Sequence, residues 1–198
     1  MEAFESGKSV HLMIAEALYP DLFLDAFVDF ANEYPELYRK IKGGNFAAIY
    51  GATERKIDQT YGVKGGWQKV LTMFPGIRKF TEDCIKEVSR NQDIWQQPCI
   101  KTVGGYRLTV PPDEAFKAVN YKIQGTAGEI MGEIMIALDK YIRTIPEASL
   151  VCQVHDSIIP ELPITPTLDQ EIQTCLAIVE EAGAHIIPYT ASYKVIHA

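Results

Sequence analysis

The sequence predicts an α+β fold, with a mainly helical region over residues 1–97 joined to a region over residues 98–198 that holds a small antiparallel sheet and long helices. Three observations support this prediction. Apolar residues recur every three or four positions through most of the first region, as in helices with one buried face. β-forming residues flank turn motifs within 100–110 and again within 149–162. A further helical pattern, the longest in the chain, lies between these two segments.

The composition is that of a globular chain. It has 198 residues, of which 47% are hydrophobic and 10% aromatic, enough to bury a substantial core. No apolar run reaches the length of about 18 residues that a membrane span needs, and the acidic start is unlike a signal peptide. The four cysteines are far apart and form no C-x-x-C pair, so neither a zinc site nor a disulfide framework is indicated. We therefore expect a protein with no membrane association, located in the cytoplasm (the host cytoplasm if the source is a virus).

Charge is unevenly distributed along the chain. The net charge is −7, yet residues 38–122 carry fifteen Lys and Arg against eight acids. The segments before and after this basic block are both strongly acidic. A polyphosphate or a nucleic-acid backbone would have to bind at the basic block.

Apolar periodicity predicts a series of helices in the first region. The predicted helices begin at His11, at Asp21 (through Glu36), at Tyr38, at Ala52 (closed by Gly62), at Trp67 and at Ile77 (through Ser89).

The helix over 38–51 has the most unusual pattern. Residues four apart share one helix face, so Tyr38, Lys42, Phe46 and Tyr50 are aligned, with Arg39 on the adjoining face. Cations neutralise phosphate and rings stack on bases, so this face suits a nucleotide. The alternative is an ordinary amphipathic helix whose aromatic side chains pack inward.

This segment resembles the nucleotide-binding fingers helix of family A DNA polymerases, the DNA polymerase I family. The shared pattern is Lys42, then Asn45-Phe46, then Tyr50-Gly51. The resemblance implies that Lys42, Phe46 and Tyr50 bind the nucleotide and that Lys42 is also catalytic. The segment GKSVH at 7–11 resembles the family's GKDIH-like segment, which implies that His11 contacts the incoming triphosphate. Tyr38 stands where the family has an Arg, and Arg39 is expected to replace it.

Residues 100–110 predict a hairpin around Gly104-Gly105, in which Arg107 fits the family's phosphate-contacting pattern while Tyr106 replaces an Arg. The following segment, NYKIQGTA, begins a helix predicted over 120–144. It resembles the family's Asn-x-x-x-Gln-Gly-Thr-Ala segment, which implies that Asn120 and Gln124 contact the primer-template. The residues alone also allow both to be helix-capping amides. The periodicity predicts one buried face, formed by Ile123, Ala127, Ile130, Ile134, Leu138 and Ile142.

The segment SLVCQVHDSIIPEL at 149–162 predicts two short strands with His155 and Asp156 at the turn. A carboxylate there could reach a divalent metal, although a solvated turn Asp is the ordinary alternative. The family resemblance implies that Asp156 binds catalytic Mg²⁺ and that His155 is catalytic and contacts DNA. Ser157 stands where the family has a Glu.

The remaining tail predicts a helix that begins with a capping box of Thr167 and Gln170 and ends near Gly183. A last strand is predicted over 186–196.

The resemblance covers nearly the whole chain and implies the fingers (1–97) and the C-terminal part of the palm (98–198) of a DNA-directed DNA polymerase. Such enzymes transfer dNTPs to a primer 3′ end by two-metal chemistry. The family's first metal-binding Asp and its thumb are expected to lie outside this sequence. We therefore expect one part of a split enzyme, inactive without a second polypeptide that supplies them.

Two alternatives compete with this expectation. The first is a non-catalytic remnant or accessory module that binds DNA or a partner. The second is a metal phosphohydrolase built on His155 and Asp156, which is disfavoured because the other histidines show no metal-ligand spacing.

Overall fold

The computed structural model describes residues 9–23, 29–189 and 191–194. Within these ranges the chain is mainly helical, with two separate two-stranded sheets, so the predicted α+β class is confirmed. None of the described helices is long and apolar enough to cross a membrane. The α-helices are α1 Val10–Leu18, α2 Phe30–Glu33, α3 Pro35–Ile49, α4 Glu54–Tyr61, α5 Gly66–Met73, α6 Gly76–Trp95, α7 Ala118–Ile142 and α8 Leu168–Ala182. The strands are β1 Cys99–Lys101, β2 Arg107–Thr109, β3 Ser149–Val154 and β4 Ser157–Glu161, and 3₁₀ turns cover Pro20–Phe23 and Pro112–Lys117.

The chain forms two compact units. One comprises Met1–Ile100 and Thr109–Asn120, and the other comprises Lys101–Leu108 and Tyr121–Ala198. The prediction of a fingers-like region over 1–97 and a palm-like region over 98–198 stays a prediction.

The core of the first unit is built from α1 to α5. Its members are apolar residues at helical spacing, together with one fully buried tyrosine. Complete burial of a side chain such as Ile41 contributes about 1.5–3 kcal/mol to folding. The buried members are Ile14, Ala15, Leu18, Phe30, Ile41, Ile57, Tyr61 and Val70.

The prediction of one helix over 21–36 is wrong for the part that the structure describes. A 3₁₀ turn ends at Phe23, α2 begins after Asp29, and α3 begins at Pro35. Between α2 and α3, Tyr34 has φ −127° and ψ 57°, outside the helical region. Proline disfavours helical geometry in the residue before it, which explains the break at Tyr34. Residues 24–28 lie outside the described ranges.

The other helices of the first unit agree with the predictions. Thr53 caps α4 by accepting a hydrogen bond from the N–H of Lys56, as short hydroxyl side chains do at helix starts. Gly62 ends α4 with φ 75°, a left-handed conformation that glycine adopts without strain. Helix α6 extends beyond the predicted end at Ser89, as far as Trp95.

In the second unit, the end of α7 packs against α8 and the β3–β4 hairpin. Leu138 and Ile142 are buried there together with Cys175. The predicted buried face of α7 is wrong at its start, because Ile123 and Ala127 are exposed. The cluster of Leu138, Ile142 and Cys175 lies at the later turns of the helix, and periodicity alone does not show where such contact begins.

Strands β3 and β4 form the predicted hairpin. They pair antiparallel, with Val154 opposite Ser157, so His155 and Asp156 form a two-residue turn. His155 has φ 55°, a conformation that tight hairpin turns require.

Two predictions for the tail are wrong. Thr167 precedes α8, but its side chain caps no backbone N–H; its hydroxyl lies 3.0 Å from that of Thr165, so the capping box does not form. The described part of 186–196 contains no strand, because Pro188 has no N–H to donate and the Tyr189 hydroxyl instead bonds back to α8 at Val179.

Candidate functional site

Helix α3 presents Lys42, Phe46 and Tyr50 on one exposed side, called here the α3 face. Phe46 is 48% exposed and Tyr50 is 49% exposed, so neither ring is enclosed in the core. Tyr38, one turn before Lys42, is half-buried, and the Lys42 ammonium lies 5.9 Å from the centre of its ring. This face therefore combines a cation with two accessible aromatic surfaces.

His11 of α1 lies beside the α3 face. Its ring is 6.2 Å from that of Tyr38, edge-on, and 6.4 Å from that of Phe46. Burial and, to a smaller extent, the charge of Lys42 lower the pKa of His11 below 6.5. The imidazole is therefore neutral at physiological pH, so it can donate a hydrogen bond to a phosphate but adds no positive charge.

The position of His11 depends on a second residue of α3. The side-chain amide nitrogen of Asn45 lies 2.7 Å from His11 Nδ1, and the hydroxyl of Tyr61 donates to Asn45 Oδ1, also at 2.7 Å. Gly44 makes this possible, because a Cβ atom there would overlap the ring of Tyr61. The group that approaches α3 closely at this glycine is therefore the ring of Tyr61.

Tyr61 is fixed in turn by its surroundings. It is fully buried, and its backbone carbonyl accepts a hydrogen bond from the Tyr19 hydroxyl. Burial and, second, the nearby charge of Asp58 raise the pKa of Tyr61 to about 12. Asp58 accepts hydrogen bonds from the N–H groups of Gly65 (2.7 Å) and Trp67 (2.8 Å), which ties α4 to the start of α5.

Arg39, expected to bind phosphate, is paired with Glu36 at 2.7 Å. Both side chains are largely exposed. Exposed pairs of this spacing contribute only about 0.3–0.5 kcal/mol, so a phosphate could displace Glu36 at small cost.

The residues expected to contact DNA lie on α7, β2 and the β3–β4 turn. Asn120 and Gln124 are one turn apart on α7; Gln124 is exposed, whereas Asn120 Oδ1 is buried and has no hydrogen-bond partner in the part of the chain that the structure describes. Gly125 lies against Leu108, whose side chain a Cβ atom would overlap. The close approach at this glycine therefore serves packing within the protein. Arg107 is exposed on β2.

Asp156 and His155 are both exposed at the tip of the β3–β4 hairpin. The carboxylate is accessible to a divalent cation, and oxygen is the donor that Mg²⁺ prefers. Over the described ranges, however, no three His, Cys, Asp or Glu side chains are grouped so that they could hold a metal ion. These residues therefore do not form a complete Mg²⁺ site.

Comparison with known proteins gives one consistent result. The family model for DNA polymerase family A matches residues 1–195. DNA polymerase I of Helicobacter pylori (strain J99 / ATCC 700824) is 26% identical over 191 residues, covering 89% of this chain and 20% of its own length. The DNA polymerase of Mycobacterium phage D29 is 26% identical over 168 residues, covering 82% and 25%.

The fold has a solved counterpart. The POL domain of Pol1 from M. smegmatis, in complex with DNA primer-template and dNTP, matches 94% of this chain and 33% of its own with a TM-score of 0.72 at 22% identity. With the family match over nearly the whole length, the α3 pattern and the fold define a polymerase-type protein. The chain belongs to DNA polymerase family A. It spans about a fifth to a quarter of the length of these curated relatives.

Sequence reasoning missed the part that Tyr61 plays and noted Asn45 only as part of a family pattern. The two residues are sixteen positions apart on different helices, so no periodicity links them. The available signal was an aromatic residue, Tyr61, that shares a short and mainly polar helix with one apolar residue, Ile57, while the preceding helix contains two adjacent glycines.

Proposed function

We propose that this chain is the nucleotide-binding and partial palm component of a DNA-directed DNA polymerase, which transfers the nucleotidyl group of a dNTP to a primer 3′ end and releases pyrophosphate. The observation that carries the proposal is the α3 face, where Lys42, Phe46 and Tyr50 are exposed together beside a neutral histidine. The family membership and the fold agree with it.

In this proposal the α3 face binds the incoming nucleotide. Lys42 neutralises the triphosphate, His11 donates a hydrogen bond to it, and Arg39 adds a second cation once it leaves Glu36. Phe46 and Tyr50 present their rings to the sugar and base, where stacking contributes about 1–3 kcal/mol per base. Residues 1–97 then act as fingers.

The primer-template is assigned to residues of the second half of the chain, 98–198, acting as part of a palm. Gln124 and Asn120 carry carboxamides, which both donate and accept, and so can read acceptors common to all base pairs. Arg107 supplies a phosphate contact, and His155 lies next to the metal ligand at the hairpin tip.

Asp156 is proposed as one ligand of catalytic Mg²⁺. When bound, Mg²⁺ stabilises the charge that develops on the reacting oxygens. The described residues supply one carboxylate to such a centre, and no step of the reaction is assigned to them alone. We propose that a second polypeptide carries the missing acid, the rest of the palm and the thumb.

Primer extension tests the split arrangement. The purified 198-residue chain is assayed with primer-template, the four dNTPs and Mg²⁺, alone and mixed with the products of the adjacent reading frames. We expect no useful extension by the single chain and extension in one mixture. Robust template-dependent incorporation by the rigorously purified single chain would contradict the requirement for a second polypeptide.

An accessory, non-catalytic role is the second candidate. This role is favoured because side chains suited to binding are exposed, whereas the described residues do not form a complete metal site. DNA or partner binding by the purified chain, with no extension in any mixture and no dNTP binding, would identify this role.

A further inference from the structure

Three side chains of the first unit form a continuous chain of hydrogen bonds. The Tyr61 hydroxyl on α4 donates to Asn45 Oδ1 on α3, and the Asn45 amide N–H donates to Nδ1 of His11 on α1. Both distances are 2.7 Å. The carboxamide therefore links a buried phenol to a histidine beside the α3 face.

The burial of Tyr61 determines which group donates and which accepts in these two hydrogen bonds. Tyr61 is fully buried, and its raised pKa keeps the hydroxyl protonated at physiological pH. A buried O–H needs an acceptor, and Asn45 Oδ1 is the acceptor that it reaches in the described part of the chain. If the amide were reversed, two donors would face each other or the Tyr61 proton would lose its acceptor.

The orientation of Asn45 determines the proton on His11. Because the amide N–H faces Nδ1, that nitrogen accepts and carries no proton, so the ring proton is on Nε2. Burial and the positive charge of Lys42 on α3 both favour a neutral imidazole. The other titratable groups that face this network are Tyr38, edge-on to the ring, and Tyr61 beyond Asn45, which is itself close to Asp58.

We propose that Tyr61 and Asn45 are positioning residues that hold His11 as the neutral tautomer protonated on Nε2, ready to donate that proton in a hydrogen bond to a nucleotide phosphate. The phosphate part rests on the proposed function, whereas the tautomer does not. Within the described ranges, the hydrogen bond found for His11 involves Nδ1 and not Nε2. Lys42 then supplies the positive charge and His11 supplies a directed donor.

Nitrogen-15 NMR of the histidine side chains tests the tautomer directly in the 198-residue chain. His11 is assigned by the signal that disappears in His11→Gln. At neutral pH we expect an unprotonated Nδ1 and a protonated Nε2. A wild-type His11 ring protonated on Nδ1, or on both nitrogens, would overturn the proposal.

Two variants test the positioning residues. Tyr61→Phe removes only the hydroxyl, and we expect His11 to lose its single tautomer and to titrate at a higher pH. Asn45→Asp offers only acceptors, and we expect it to move the proton to Nδ1. Tyr34→Phe, which removes a hydroxyl from the same core cluster, is the matched control and should leave the His11 spectrum unchanged. An unchanged tautomer in both Tyr61→Phe and Asn45→Asp would contradict the role of the network.

The nucleotide part has a separate readout. Equilibrium binding of dTTP with Mg²⁺ should weaken about threefold to tenfold in Tyr61→Phe, the effect of one weakened hydrogen bond, and stay unchanged in Tyr34→Phe. A wild-type chain with the expected tautomer but no dTTP binding would refute the proposed nucleotide site and leave the tautomer assignment standing. Equal dTTP binding by wild type and Tyr61→Phe, despite an altered tautomer, would refute the phosphate contact of His11.

Discussion

Gly44 lies directly against the aromatic ring of Tyr61, so closely that a Cβ atom at position 44 would overlap the ring. A glycine in the middle of a helix costs about 1 kcal/mol relative to alanine. Here that cost allows the ring of Tyr61 to reach α3 and its hydroxyl to bond to Asn45. The destabilising glycine thus permits the contacts that hold His11 in place.

Gly44→Ala should therefore destabilise the protein. The added methyl group overpacks the Tyr61 ring, and such changes typically cost about 1–3 kcal/mol. The free energy of unfolding, measured by urea titration, should fall by that amount, and the His11–Asn45 contact should be disturbed as well.

The neighbouring Gly43 provides the matched control for this prediction. A Cβ atom there would meet only Thr60 Cγ2, at 3.4 Å, so Gly43→Ala should be neutral or stabilise by up to about 1 kcal/mol. If Gly44→Ala were as stable as Gly43→Ala, the packing of Tyr61 against α3 would be incorrect.

Tyr61 should make stability depend on alkaline pH. Its pKa of about 12 in the folded protein lies above the ordinary value of 10.0. The stability from keeping this phenol neutral is fully present below pH 10 and is lost as pH rises from about 10 to 12. Wild type should therefore lose about 2–3 kcal/mol more than Tyr61→Phe across that window in denaturant titrations. An equal loss of unfolding free energy in wild type and Tyr61→Phe would contradict the raised pKa of Tyr61.

Asp156→Ala should abolish nucleotidyl transfer in the two-chain enzyme proposed above, once that enzyme is reconstituted. Loss of a metal ligand removes several kcal/mol of transition-state stabilisation, so kcat should fall about a thousandfold or more. Primer-template affinity should change by less than about twofold, because an exposed acid contributes little to DNA binding. Glu147→Ala, which removes another exposed turn carboxylate, should retain full activity. Near-normal turnover of Asp156→Ala would leave Asp156 as an ordinary turn residue.

Phe46→Tyr should relax discrimination against dideoxynucleotides in the same enzyme. In the proposed nucleotide site, Phe46 faces the sugar without a hydroxyl, whereas a phenol at this position could compensate for a missing 3′-hydroxyl. The ratio of ddTTP to dTTP incorporation should rise by about tenfold or more, the effect of one hydrogen bond in the transition state. Phe116→Tyr, at another exposed phenylalanine, should leave the ratio unchanged. An unchanged ratio of ddTTP to dTTP incorporation in Phe46→Tyr would contradict the assignment of Phe46 to the nucleotide site.

The sequence predicted elements that local pattern determines. The helix around Lys42 and the hairpin at Asp156 follow from periodicity and turn chemistry within a few residues. The sequence-based predictions failed where a neighbouring proline or a tertiary contact determines the secondary structure. Pro35 breaks the helix predicted over 21–36. In the segment predicted as the last strand, the Tyr189 hydroxyl instead donates a hydrogen bond to the Val179 carbonyl of α8.

The sequence predicted which residues belong to the candidate site, but it did not predict which of them contact one another. His11 and Asn45 are 34 positions apart, and Asn45 and Tyr61 are sixteen apart. Such pairings depend on how three helices pack, and a single sequence carries no signal that joins them.

Equilibrium binding of dTTP with Mg²⁺ to the 198-residue chain tests the central claim, that the α3 face binds a nucleotide, most directly. Wild type should bind, and Lys42→Ala should bind at least about tenfold more weakly with an unchanged melting temperature, because an exposed charge contributes little to folding. Lys40→Ala removes an exposed cation from a different side of the same helix and should bind like wild type. Equal dTTP affinity in Lys42→Ala and Lys40→Ala, or no binding by wild type, would contradict the account.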